Sequence, residues 1–340
     1  MTNAKPNKQI RQQLFRTNLL TWYDAHARDL PWRRTRDPYR IWLSEIMLQQ
    51  TRVAAVIEHY HEFLRRFPTV EKLASAREAS VLAAWSGLGY YRRARMLHAA
   101  AKLLVRELDA KFPTTAEKLR DLPGIGRYTA AAIASIAFDE PVAVVDGNVE
   151  RVLRRTSGRS LEVEKLWKAA EDLLERSRPG DFNQAMMELG ATICTPRSPS
   201  CLMCPVVELC ATRGEIPKTE KAPGQKKREI HYALSHRGRS VFLVQRPRDA
   251  SLMASMWELP EISPPENSAA PAFTLRHSIT VTDYTVQVWR RPLPGKVAGK
   301  WIPVARLSKL AITGLARKIL DKAELFPLRD RSTVPAKALD

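Results

Sequence analysis

Four cysteines, the only ones in the chain, fall within seventeen residues at Cys194, Cys201, Cys204 and Cys210, in CTPRSPSCLMCPVVELC with the spacing C-x6-C-x2-C-x5-C. Thiols gathered in one short loop, in a chain otherwise free of cysteine, read as a metal site before they read as disulfides in a reducing compartment. They constrain the fold strongly, because the loop that carries them has little core of its own and would be closed by the metal. Tetrahedral zinc and an iron-sulfur cluster both accept four-cysteine ligation.

The chain of 340 residues is long enough for two domains. Its 55 Lys and Arg against 36 Asp and Glu leave a formal charge of +19, which favours a polyanionic partner such as nucleic acid. No apolar run approaches the ~20 residues of a membrane span. The N-terminus MTNAKPNKQIRQQ lacks the apolar centre of a signal peptide. The expectation is therefore an intracellular protein with no membrane partner, cytoplasmic and, in a bacterium, nucleoid-associated.

Apolar residues recur at helical spacing from Lys8 to about Ala211, broken at Pro31, Pro68, Gly87 to Gly89, Pro113 and Pro123. The reading is a mainly α domain over 1–213 of about ten short helices, with the cysteine loop at 194–210. GEIPKTEKAPGQKKR at 214–228, charged and Pro/Gly-rich, reads as a linker. Beyond it HYALSH, SVFLVQ and DYTVQVW alternate with a period of two and LAITGLARKIL is helical, so 229–325 reads as a small α+β domain and 326–340 as a tail.

LRDLPGIGRYTAAAIASIA, 119–137, reads as helix, tight turn, helix, with Pro123 stopping the first helix. Gly124 and Gly126 leave backbone N–H groups pointing outward at the positive end of the second helix, which suits a phosphate. In IWLSEIMLQQT, Glu45 lies on a nearly all-apolar helix with Ile41 and Leu48 on its face. Burial there raises a carboxyl pKa and lets it hold a proton near neutrality. Asp146, in PVAVVDGNVERVLRR, stands where an apolar stretch meets a new helix. As an N-cap it receives backbone N–H donors that keep a carboxylate ionised. One neutral and one charged carboxyl suit cleavage of a glycosidic bond.

The ordered set LPWR, WLSEIMLQQTRV, GLGYYRRAR, LPGIGRYTA, VDGNVERVLRR and FNQAMMELGA, followed by the four cysteines, resembles the catalytic domain of MutY-type adenine glycosylases of the helix-hairpin-helix, endonuclease III superfamily, over about 8–212. The resemblance implies a helix-hairpin-helix glycosylase fold and a 4Fe-4S cluster on Cys194, Cys201, Cys204 and Cys210. It makes Glu45 the acid that protonates adenine and Asp146 the carboxylate that stabilises an oxocarbenium-like sugar, with Tyr128 and Asn148 supporting the nucleotide. Arg28, Trp32 and Arg33 line the adenine pocket, Gln50 and Tyr90 wedge into the duplex, and Thr51 contacts the purine partner. The implied substrate is duplex DNA with adenine opposite 8-oxoguanine or guanine, acted on by a monomer in base excision repair.

The nearest alternatives are an endonuclease III-like glycosylase/lyase, a thymine-mismatch glycosylase and a silent iron-sulfur DNA-binding protein. The lyases of this superfamily carry a lysine nucleophile where this chain has Tyr128, so the implied enzyme is monofunctional and uses water. VFLVQRPRDASLMASMWELPEI resembles the start of a MutT-like, Nudix-related domain. EISPPENSAAPAFTL is too short and Pro-rich for the helix that follows in that domain, and no Nudix hydrolase box is present. The Phe-Ser-His element that senses oxidised guanine in the family falls on Ile279, Thr280 and Val281, which implies a degenerate domain.

Overall fold

The structure, a computed structural model, describes residues 7–214, 226–264, 270–279, 282–293 and 297–325. The chain clusters into two compact units, Met1–Ala74 with Ala99–Glu220, and Ser75–His98 with Lys221–Asp340. The helices in chain order are α1 (Lys8–His26), α2 (Pro38–Leu48), α3 (Val53–Arg66), α4 (Val70–Ala74), α5 (Glu78–Ala84), α6 (Arg92–Glu107), α7 (Ala116–Leu119), α8 (Arg127–Phe138), α9 (Gly147–Ser157), α10 (Val163–Leu173) and α11 (Pro179–Thr192). Of these, α5 and the start of α6 belong to the second unit, although nothing in their helical periodicity distinguishes them from the rest.

The first unit is built on helices that are apolar almost all round. In α2 every residue from Ile41 to Met47 is buried, and in α8 every residue from Thr129 to Ile136. A helix of this kind has no solvent face and must sit at the centre of a helical layer. Accordingly α2 packs on α8, and α11 packs on α8 and α9. The closeness of α11 to α9 depends on Gly190, where a Cβ would stand 2.5 Å from the Cβ of Asn148. Asp37 starts α2 by accepting the Tyr39 amide at 2.9 Å, with Pro38 at the first helical position.

Two sequence expectations shift here. The first helix of the hairpin ends at Leu119 rather than at Pro123, because Arg120 caps it and the chain has already turned before the proline. Lys226, Lys227 and Arg228, read as the end of the linker, form strand. Their backbone pairs with Thr282, Asp283 and Tyr284, a ladder that exposed charged side chains do not prevent.

The second unit carries β1 (Lys226–Leu234), β2 (His236–Arg237), β3 (Ser240–Gln245), β4 (Trp257–Glu258), β5 (Phe273–Ile279), β6 (Thr282–Arg290), β7 (Lys300–Pro303) and α12 (Gly314–Lys322). One sheet has the order β1-β6-β5, with β1 parallel and β5 antiparallel to β6; in the other, β3 pairs antiparallel with β2, β4 and β7. Leu234, Val241, Leu243, Leu275, Val286 and Val288 from the sheets meet Leu315, Ile319 and Leu320 of α12 in one core. The α+β expectation holds. Thr280, Val281 and most of the expected linker and tail lie outside the described residues. Among the described residues no helix is long and apolar enough to cross a membrane.

Candidate active site

The first unit contains a cavity of about 730 Å³ lined by residues from α2, the hairpin, the start of α9 and α11. Arg28, Trp32, Arg33, Glu45, Gln50, Thr51, Gly124, Gly126, Tyr128, Asp146 and Asn148, dispersed over more than a hundred positions, all line it. Tyr90 belongs to the second unit.

Glu45 is only 6% exposed. Burial pushes its carboxyl up to about 7; the Tyr128 hydroxyl and Arg33 pull it down and Asp146 pushes it further up. Tyr128 donates to Glu45 Oε2 at 2.7 Å, and its own pKa stands well above the usual phenol value, first because of burial. It therefore remains a neutral donor. A carboxyl tuned to neutrality and fixed by a hydrogen bond can deliver a proton into the cavity.

Asp146 caps α9, accepting the amides of Asn148 and Val149 at 2.9 and 2.8 Å on Oδ1 and the Asn148 side chain at 2.9 Å on Oδ2. The N-cap geometry matches the sequence reading. Burial lifts the Asp146 pKa above its ordinary value, and the Val149 and Asn148 donors, with Arg151, oppose that rise without cancelling it. Arg151 extends the arrangement: it donates to Asn148 Oδ1 at 2.8 Å, to the Gly190 carbonyl at 2.7 Å and to the Cys194 carbonyl at 2.7 Å.

One carboxylate was missed in the sequence. Glu188, 1% exposed, accepts Arg28 Nε and Nη2 at 2.6 and 2.7 Å and Arg33 Nη2 at 2.8 Å. Burial alone would raise its pKa, but the bonds from Arg28 and Arg33 dominate and hold it at about 2. The signal was present in AMMELGA, one acid flanked by apolar residues, the pattern that singled out Glu45. Met187 beside it accepts the Tyr128 hydroxyl at 3.1 Å.

At the rim, Gln50 follows the end of α2 with φ of +56° and Gly124 has φ of +78°. The first is a left-handed conformation on a side chain that disfavours it, and such backbone persists where surroundings impose it. Gly126 caps α8 without a side-chain hydrogen bond, and a Cβ there would meet nothing within 4 Å. Gly126 itself is exposed.

The four cysteines line a second, smaller cavity with Val152, Leu189, Ile193, Val206 and Val207. Burial, and then the neighbouring thiols, raise Cys201, while burial foremost pushes Cys204 up to about 11. Among the described residues no three His, Cys, Asp or Glu side chains converge closely enough for a single metal ion. Arg155, buried in α9, donates to the carbonyls of Cys194, Thr195 and Pro196 at 3.4, 2.8 and 3.0 Å and approaches Cys194 Sγ at 3.3 Å. Arg155→Met would remove the donor to the Thr195 and Pro196 carbonyls and leave the Cys194 carbonyl to Arg151 alone, loosening the loop. We expect the variant to lose most of its visible iron-sulfur absorbance and to melt earlier; unchanged absorbance would refute this role.

The family model for the HhH-GPD superfamily of base excision DNA repair proteins matches residues 43–176, and that for the iron-sulfur binding domain of endonuclease III matches 194–210. The second match decides between zinc and an iron-sulfur cluster in favour of the cluster. The adenine DNA glycosylase of Mus musculus is 42% identical over 343 residues, covering 82% of this chain and 65% of the relative. That of Homo sapiens is 49% identical over 221 residues, covering 61% of this chain and 40% of the relative. The chain thus spans about two thirds or less of these relatives' lengths. A solved thermostable thymine-DNA glycosylase is 32% identical, with a TM-score of 0.57 over 60% of this chain and 97% of that one. By its ordered motifs, both family models and the near-complete coverage of a solved glycosylase, the chain belongs to the HhH-GPD superfamily of base excision DNA repair proteins.

Proposed function

We propose that this chain is a monofunctional adenine DNA glycosylase of base excision repair, acting on duplex DNA with adenine opposite 8-oxoguanine or guanine. The observation that carries the reading is Glu45, buried, bonded to Tyr128 and tuned to about 7, in one cavity with Asp146. Similarity to adenine rather than other base glycosylases comes from the relatives in mouse and human.

In this reading the adenine nucleotide leaves the base stack, which costs a few kcal/mol and less at a mismatch. The Glu45 carboxyl protonates a ring nitrogen of adenine, so the bond between the base and C1′ breaks with its electron pair departing on the base. The positive charge left on the sugar lies against the Asp146 carboxylate, which Asn148 and the α9 amides hold in place. Water adds to C1′ and gives up a proton to a carboxylate, leaving an intact abasic sugar. Arg28, Trp32, Arg33 and Glu188 shape the base pocket, and Thr51 and Gln50 border the partner strand. When bound, the 4Fe-4S cluster serves as a structural tie; Cys194, Cys201, Cys204 and Cys210 hold it and Arg155 secures the loop.

No lysine is among the described residues lining the cavity, which supports hydrolysis over Schiff-base chemistry. The C-terminal unit is, on this proposal, a degenerate MutT-like module, supported by its paired sheets and α12 over one core and by the W-E-L-P segment at β4. Single-turnover assays on A:8-oxoguanine, A:G and T:G duplexes test the whole reading. Strand scission is expected only after alkali and only for the two adenine duplexes. Scission without alkali would replace the proposal with a lyase, and cleavage of T:G alone with a thymine glycosylase.

A further inference from the structure

In the second unit, the loop from Trp85 to Tyr91 passes through three residues with φ in the left-handed region, Gly87 at +109°, Gly89 at +69° and Tyr90 at +48°. For Tyr90 that conformation costs about 1–2 kcal/mol, so contacts must impose it. Some are local. Arg93 lies over the rings of both Trp85 and Tyr90, at 5.6 and 5.4 Å, and donates to the Leu88 carbonyl at 3.2 Å; Trp85 Nε1 donates to the Gly89 carbonyl at 3.1 Å. These close the loop on itself.

The anchor comes from more than two hundred residues later. The carbonyl of Ile312 accepts the Ser86 hydroxyl at 3.1 Å and the Tyr91 hydroxyl at 3.0 Å, and the Arg317 guanidinium donates to the Ser86 carbonyl. Ile312 and Thr313 are themselves buried and tied to β4: the Trp257 amide donates to the Ala311 carbonyl at 2.8 Å and the Thr313 amide to the Trp257 carbonyl at 2.9 Å. Thr313 also caps α12, accepting the Ala316 amide at 3.2 Å, so one turn sets both the Ile312 carbonyl and the helix that carries Arg317. Trp85, Ser86, Leu88 and Tyr91 are buried, while Tyr90 is 46% exposed. The result is a braced platform that presents one aromatic ring.

We propose that Arg317 and the Ile312 turn are positioning elements for Tyr90, so that the C-terminal unit stiffens the loop that parts the bases of the duplex. The inference rests on the proposed reading as an adenine glycosylase and on the wedge role that the family resemblance implies for Tyr90. Its physical reason is mechanical: separating stacked bases costs a few kcal/mol per step, and a wedge on a loop that yields more easily than the stack would move instead of the DNA. The brace therefore matters for entry into the duplex and not for the chemistry that follows.

The test compares full-length Tyr90→Ala, Arg317→Met, Tyr91→Phe and the Tyr90→Ala/Arg317→Met double variant, each with intact iron-sulfur absorbance. Two duplexes carry the target adenine, one fully stacked with 2-aminopurine beside the mismatch, the other inside a small unpaired bubble where no wedge is needed. On the stacked duplex, Arg317→Met is expected to lose most of the 2-aminopurine fluorescence rise and about tenfold in single-turnover rate at limiting enzyme, with Tyr91→Phe losing less in the same direction. On the bubble it should match the unsubstituted protein, and in the Tyr90→Ala background it should add nothing. Equal losses on both duplexes, or additive losses in the double variant, would overturn the brace. Should Arg317→Met fail to fold, Tyr91→Phe carries the decision, since it removes one hydroxyl. A silent Tyr90→Ala would sink the role of Tyr90 itself, whereas an effective Tyr90→Ala beside silent Arg317→Met and Tyr91→Phe would sink only the brace.

Discussion

Glu45→Gln should abolish adenine excision and at the same time make the protein more stable at alkaline pH. A general acid contributes about 10²–10⁴-fold, and Gln keeps the shape and an acceptor for Tyr128 while losing the transferable proton. The stability effect follows from the raised pKa of about 7 against the usual 4.5. Between those values the folded protein holds a proton that the unfolded chain has released. Folding is therefore favoured below pH 4.5 relative to higher pH, and the advantage disappears as pH rises through about 7. Above that, keeping Glu45 ionised and buried costs about 3 kcal/mol, which Gln removes. In the unsubstituted enzyme the single-turnover rate at saturation should fall about tenfold per pH unit above 7. Melting curves and rates at pH 6 and pH 8 check both halves. Retained excision in Glu45→Gln would end the mechanism, and equal melting points at pH 8 would show that the carboxyl carries no burial cost.

Glu188→Ala should be among the most damaging single changes in the cavity. Glu188 is the carboxylate partner shared by Arg28 and Arg33, and removing one partner of a buried ion pair costs about 3–5 kcal/mol. The electrostatic effect reaches further, because Arg33 already lowers the Glu45 pKa. Without Glu188 the Arg33 charge acts unopposed, so the descending limb of the pH–rate profile should move to lower pH. Glu188→Gln, which retains the shape, should show that shift with a smaller loss of stability. The native pair also confers stability that is complete above pH 4.5 and is lost as pH falls through about 2, since Glu188 is held at about 2. A pH–rate profile unchanged in Glu188→Gln would show that Glu188 does not modulate the acid.

Much of the site could be read from sequence, for an identifiable reason in each case. Glu45 and Glu188 are carboxyls among mostly apolar helix neighbours, so their burial follows from periodicity, whereas the lowered pKa of Glu188 depends on Arg28 and Arg33 more than 150 residues earlier. Asp146 could be recognised as a cap from the Asp-Gly-Asn step that opens α9. Its pKa direction could not, because the balance of burial against three hydrogen-bond donors and Arg151 is set by tertiary packing.

By itself the sequence determined what is local: helical against extended period, the cysteine spacing, the cap at Asp146, the glycines of the hairpin and the absence of an amine at Tyr128. These depend on neighbours within a few residues, where covalent spacing sets geometry. Only the tertiary structure decided what depends on distant partners. It brought Glu45, Tyr128, Asp146 and Glu188 to one cavity, set Arg151 and Arg155 against the loop of Cys194, and assigned Ser75–His98 to the C-terminal unit through the Ile312 carbonyl and Arg317. A carbonyl accepts hydrogen bonds whatever its side chain, so no residue pattern could have announced that contact.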